Sequence, residues 1–140
     1  MTMRYILLGA VLAIGIACSR SSQPGACADL QTLLQRKPNS LHFLGCSQRS
    51  DLQGAPFEGK YRTEGKHAAE VEEYLVNVFK IKELRRTCCV WESADNSYRD
   101  SHKRPVVISM STEETAIDER SQWPRIDHFY VTIDLFRDEP

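Results

Sequence analysis

The sequence predicts an α+β domain: two helices packed on one face of a mostly antiparallel sheet of about five strands, in the order α-β-β-α-β-β-β, stapled by disulfides. Three observations carry this. Residues 128–136 alternate, with Phe129, Val131, Ile133 and Leu135 on one side and Tyr130, Thr132 and Asp134 on the other, as in a strand with one covered face. Residues 66–79 repeat at helical spacing instead, with Ala68, Val71, Leu75, Val78 and Phe79 as the apolar stripe and Glu70, Glu72, Glu73 and Asn77 as the wet face. Residues 84–92, apolar and β-branched around Cys88-Cys89, are expected to form the central strand to which other segments are tied.

Taken in order, residues 26–36 form the first helix, with Cys27, Leu30, Leu33 and Leu34 on its buried face. Pro38 and Asn39 stop it. Residues 41–46 are a short strand, 47–57 a loop containing Gly54 and Pro56, and 59–64 its hairpin partner, with Tyr61 and Thr63 opposite Lys60, Arg62 and Glu64. After the second helix and the cysteine strand, the mixed-charge stretch 93–104 is expected to be a long hairpin loop. Residues 105–111 resume a strand, 112–125 connect, and the alternating strand closes the domain.

The N-terminus has a different character. Arg4 precedes the apolar run 5–17, which is well short of the roughly 20 residues a spanning helix needs and has the layout of a secretory signal. Gly15-Ile16-Ala17-Cys18 resembles a bacterial lipobox, with Gly15 where that motif prefers leucine. The resemblance implies that residues 1–17 are a signal peptide, that Cys18 is lipidated, and that residues 18–25 are a tether to a single domain at 26–140. Ser19, by the same resemblance, implies export to the outer membrane, facing the periplasm; ordinary cleavage, leaving a soluble periplasmic protein, is the alternative. Removing residues 1–17 takes away Arg4 and no acid, leaving 17 basic against 19 acidic side chains and a net charge of −2. That balance gives no reason to expect a nucleic-acid partner.

With Cys18 assigned to lipid, Cys27, Cys46, Cys88 and Cys89 remain, an even number that in an exported chain points to two disulfides. Neighbouring side chains in a strand point to opposite faces, and a ring between adjacent cysteines is strained. Cys27 and Cys46 are therefore each expected to bridge to the Cys88-Cys89 strand, with Cys27–Cys88 and Cys46–Cys89 the preferred of the two pairings. Each such bridge is worth about 3–4 kcal/mol in the chain-entropy picture. Zinc is disfavoured because the chain has no Cys-x-x-Cys knuckle.

Catalytic patterns are missing from the sequence: no Gly-x-Ser-x-Gly elbow, no His-Glu-x-x-His, no phosphate loop. His42, His67, His102 and His128 are scattered without metal spacing. No cofactor, metal or enzymatic activity is expected. The candidate binding surface is instead Trp91 with Tyr130 and Val107 on the face away from the helices, together with Arg99, Asp100 and His102 of the charged loop.

Cys27-x-x-Leu30, Leu41-x-Phe43-x-x-Cys46, Tyr61-Arg62, Gly65-x-x-Ala68, Val71-Glu72, Cys88-Cys89-x-Trp91-Glu92, Ile108 and Phe129-Tyr130-Val131 together resemble a family of small, cysteine-bridged exported bacterial proteins known as a domain of unknown function. The resemblance implies a framework and brings no catalytic residues. The expected function is that of a non-catalytic envelope lipoprotein that binds a protein partner, most concretely an immunity protein against a toxin delivered to the periplasm. The alternative is a structural protein, or one that covers a lipid or cell-wall fragment.

Overall fold

The computed structural model describes residues 24–34, 36–94 and 96–137. The segment expected to be a signal peptide (residues 1–17), the expected lipidation at Cys18 and residues 19–23 of the expected tether lie outside the described residues. In order, the elements are α1 (Pro24–Leu33), β1 (His42–Gln48), β2 (Phe57–Glu64), a short 3₁₀ turn (Gly65–His67), α2 (Ala68–Phe79), β3 (Arg85–Thr87), β4 (Val90–Glu92), β5 (Asn96–Arg99), β6 (Pro105–Thr112), a second 3₁₀ turn (Arg120–Arg125) and β7 (His128–Leu135). The strands form one antiparallel sheet in the order β1-β2-β7-β6-β4-β3, and β5 pairs with β6 beside that path.

The α+β class and the antiparallel sheet agree with the sequence reading, but the described residues form seven strands rather than about five. Both additional strands have a local cause. Residues 84–92 are not one central strand: they fold into the β3–β4 hairpin at the edge of the sheet, because Cys88 and Cys89 form a two-residue turn between the paired Thr87 and Val90. Cys88 takes a left-handed φ of 53° to make it. The expected long loop 93–104 contains β5, whose Tyr98 packs edge-on against Phe79 of α2 with ring centroids 5.6 Å apart.

The disulfide connectivity also differs from expectation. Cys27 bonds Cys46, with Cα atoms 5.8 Å apart, and Cys88 and Cys89 are unbridged. Sheet order explains it. Cys46 lies on β1 opposite Gly59, beneath α1, while β2, β7 and β6 separate β1 from the hairpin that carries the other two cysteines.

The core lies between the helices and one face of the sheet. Leu30 and Leu34 from α1 and the residue after it, and Ala68, Val71, Leu75 and Phe79 from α2, meet Phe57, Tyr61, Val106, Ile108, Met110, Phe129, Val131, Ile133 and Leu135. At about 25 cal/mol per Å² of apolar surface, burying each large side chain is worth about 1.5–3 kcal/mol. Two positions on α2 depart from the expected pattern. Val78 is half exposed, and Glu72, expected on the wet face, is buried, because its carboxylate accepts the Leu84 N–H at 2.6 Å and two N–H bonds from Arg120 at 2.6 and 3.0 Å.

Gly65 joins the two 3₁₀ turns. Its N–H donates to Ile126 O at 3.2 Å, and a Cβ there would lie 2.0 Å from Trp123 O and 2.2 Å from Ile126 O. Only glycine fits. No helix among the described residues is long and apolar enough to cross a membrane.

Candidate functional site

The helices bury the inward side chains of the sheet and leave its other face polar. In β6 and β7 every second residue is fully buried and the residues between them are half-buried. Strand register then sets the outward residues in rows. Glu92, Ser111, Tyr130, Arg62 and His42 form one row from β4 to β1. Ser109, Thr132 and Lys60 form the next, and Val107, Asp134, Glu58 and Ser47 a third. Paired residues in an antiparallel sheet share a face, so each row is a line of neighbouring side chains.

The third row holds the unusual electrostatics. Glu58 and Asp134 are direct cross-strand partners, two acids side by side. Glu58 is compensated, with Oε2 accepting from Arg49 at 2.9 Å and Oε1 lying 3.2 Å from Lys60 Nζ. Arg49 also forks onto Asp51, at 2.7 and 2.9 Å, and holds that carboxyl at about 2. Asp134 has no such clamp: its Oδ1 is buried without a hydrogen-bond partner among the described residues. Burial, and then the Glu58 charge, push its carboxyl up to about 6, against the opposing pull of Arg49 and Lys60.

The expected binding residues do not all reach this face. Trp91 belongs to the core, only 5% exposed. Its indole N–H donates to Ile117 O at 2.9 Å, its ring packs edge-on against Trp123 at 5.2 Å, and the Arg120 guanidinium lies over both rings. Strand alternation decides this, since Trp91 pairs with Arg86 and it is Glu92 that joins the row of Tyr130. The aromatic patch of Trp91 and Tyr130 therefore does not form. Tyr130 and Val107 do lie on the open face, half-buried.

The charged loop splits in the same way. Asp100 is buried and acts inside its own turn, accepting the backbone N–H of His102 at 3.0 Å and of Arg104 at 2.8 Å and pairing with the Arg104 guanidinium at 2.7 and 2.8 Å. Arg104 continues to Asp29 of α1 at 2.9 Å. Burial alone would raise the Asp100 carboxyl, but Arg104 and the two backbone donors outweigh it and hold it below the usual range. Arg99 and His102 stay exposed; Arg99 donates to Lys103 O at 2.9 Å and pairs across the sheet with Pro105.

Sequence reasoning turned Lys60, Arg62 and Asp134 outward but missed the Glu58–Asp134 pair and did not join these residues into one surface. The signal was available in Lys60, Arg62 and Glu64 alternating with Tyr61 and Thr63, but which strands lie side by side is what assembles the rows. Grooves at the margins are open to solvent; one of about 310 Å³ is bordered by Glu64, Lys66, Asp127 and His128. Among the described residues no group of three or more histidine, cysteine or acidic side chains could hold a metal ion.

Fold and face together define a small disulfide-bridged α+β domain that presents one mixed-charge sheet face, uncovered among the described residues. The chain belongs to the DUF4952 family, a domain of unknown function, whose sequence profile matches residues 17–91. The matched span takes in Cys27, Cys46, Cys88, Cys89 and Trp91, and ends before Glu92, Ile108 and Phe129-Tyr130-Val131. No curated protein and no solved structure matches the chain.

Proposed function

We propose that the protein is a non-catalytic envelope lipoprotein, exported through residues 1–17 and anchored at Cys18 to the outer membrane, that binds a protein partner through its uncovered sheet face. The most concrete form of this reading is an immunity or inhibitor protein against a periplasm-targeted toxin. The observation that carries it is the run of polar rows across the sheet, Glu92-Ser111-Tyr130-Arg62-His42 foremost. Mixed charge set on rigid strands gives register and partner choice at little ordering cost. The alternative of a small-ligand site has less support, because the wall of Trp91 and Tyr130 that it needed is divided between the two faces of the sheet.

The test uses cells lacking the gene, challenged by neighbours that deliver periplasmic toxins. Killing is expected to rise on deletion and to fall again with the intact gene, but not with the Arg62→Glu/Tyr130→Ala double variant, whose folding is checked by circular dichroism. Unchanged killing on deletion would sink the immunity reading, and full rescue by the double variant would remove this face from it.

A further inference from the structure

The β3–β4 turn holds two thiols in contact. Thr87 pairs with Val90, so Cys88 and Cys89 are the only residues of the turn, and their Sγ atoms are 3.3 Å apart. The turn is pinned on both carbonyls: Cys89 O accepts the Thr115 N–H at 2.7 Å, and Cys88 O accepts from Arg86 Nε at 3.1 Å. Arg86 is itself fixed to Thr115 O and Ile117 O at 2.6 and 2.5 Å. Cys88 is exposed and Cys89 partly so, at the outer edge of the sheet. The other two described cysteines already bridge each other.

We propose that Cys88 and Cys89 are a reversible dithiol site that closes to a vicinal disulfide by exchange with a small disulfide of the glutathione class. The exposed Cys88 thiol gives its proton to water, and the thiolate attacks one sulfur of the small disulfide. That S–S bond breaks and the leaving thiolate takes up a proton. Cys89 then loses its proton and attacks Cys88 Sγ, releasing a second small thiol. The protein gives up two protons and two electrons, and one disulfide is reduced to two thiols. Cys89 suits the second step, because its contact with Cys88, its burial and the Glu114 charge keep it protonated until Cys88 has reacted.

Reversibility follows from geometry. Neighbouring Cα atoms are about 3.8 Å apart across a trans peptide, below the roughly 4.4–6.8 Å of unstrained bridges, whereas Cys27 and Cys46 sit at 5.8 Å. Strained bridges are the readily reduced ones. The adjacency that argued against this ring in a strand is relieved in part by the turn, where both sulfurs lie on one side. The inference is independent of the partner-binding reading.

The test equilibrates the purified chain across a series of reduced-to-oxidised glutathione ratios, quenches with acid, alkylates with N-ethylmaleimide and maps the tryptic peptide 87–99. That peptide is expected to pass from two maleimides to none, two hydrogens lighter and free of glutathione, at a more oxidising ratio than Cys27–Cys46 requires. Two alkylable thiols persisting in the most oxidising buffer would overturn the proposal, as would glutathione adducts on both residues or a cross-linked dimer as the end state. In Cys89→Ser the expected product is a stable mixed disulfide on Cys88; an inert Cys88 there would overturn the order of attack. Phenylarsine oxide, which needs two thiols on one side, should bind the reduced protein one to one and fail on either single variant.

Discussion

Glu72 and Arg120, 48 residues apart in the chain, meet through two hydrogen bonds of 2.6 and 3.0 Å, and both also hold Leu84, the carboxylate taking its N–H and the guanidinium its carbonyl. Arg120 lies at the same time over the rings of Trp91 and Trp123, its Cζ 5.7 and 4.6 Å from their centroids. One ion pair thus fixes α2, the start of the edge hairpin and the second 3₁₀ turn to each other. Glu72→Ala is expected to cost about 2–3 kcal/mol, because it leaves the buried Leu84 N–H unpaired and Arg120 without its acid. Arg120→Ala should cost less, about 1–2 kcal/mol, since its side chain is 40% exposed. Urea unfolding followed by tryptophan fluorescence measures both, and equal stability of Glu72→Ala and wild type would refute the clamp.

Gly65→Ala is expected to destabilise by about 3 kcal/mol or to prevent folding. The added methyl would overlap two backbone carbonyls, which cannot rotate away as a side-chain tip could. Soluble yield and denaturant midpoint report the outcome. Gly45→Ala, where a Cβ meets nothing within 4 Å, is the matched control and should be close to neutral.

Opening the Cys27–Cys46 bridge, which closes a loop across 19 residues, should lower stability by about 3 kcal/mol. The Cys27→Ser/Cys46→Ser double variant and the dithiothreitol-treated wild type should unfold at similar denaturant concentrations. A variant as stable as the oxidised protein would mean that α1 is held by packing of Leu30 and Leu34 alone.

Asp134 sets a pH dependence with a definite sign. Its folded value of about 6 lies above the unfolded carboxylate value of ~3.9. The folded state therefore binds that proton more tightly than the unfolded state does. Its contribution is most favourable below pH ~4, declines as pH rises to about 6, and is flat beyond. Solvent screening of this half-buried group reduces the loss to about 1–2 kcal/mol. Asp134→Asn should gain on wild type over that window and hold its advantage at neutral pH. Asp100, held below its normal value, acts in the opposite sense: its stabilisation is present above pH ~4 and lost at lower pH. A constant difference between Asp134→Asn and wild type from pH 4 to 7 would contradict the assignment.

The parts of the fold legible in the sequence were those governed by period. β7 alternates as expected, and Ala68, Val71, Leu75 and Phe79 of α2 are buried. What escaped depends on contacts between distant residues. Glu72 reads as solvent-facing from helical spacing, and only Arg120 explains its burial. Cys88-Cys89 reads as strand because nothing in two cysteines signals a turn in the way Asn-Gly does, and the error carried through to the disulfide pairing and to the place of Trp91. The open face was half legible, in Tyr130 and the polar side of β2; its carboxylate pair needed the register of β2 with β7.

The pairing of β2 with β7 has a consequence for the order in which the protein is made. Residues 57–64 leave the ribosome early, yet their partners on one side are residues 128–135, which follow them by more than sixty residues and form the last strand among the described residues. Until it arrives, β2 has only β1 beside it, and the bonding edge that β7 will occupy stays open to any other extended chain. The span matched by the family profile ends at residue 91, short of both β6 and β7. Expressed alone, that span would be a sheet with its middle missing, and the sheet must wait for the eight residues of β7 before its two halves can close.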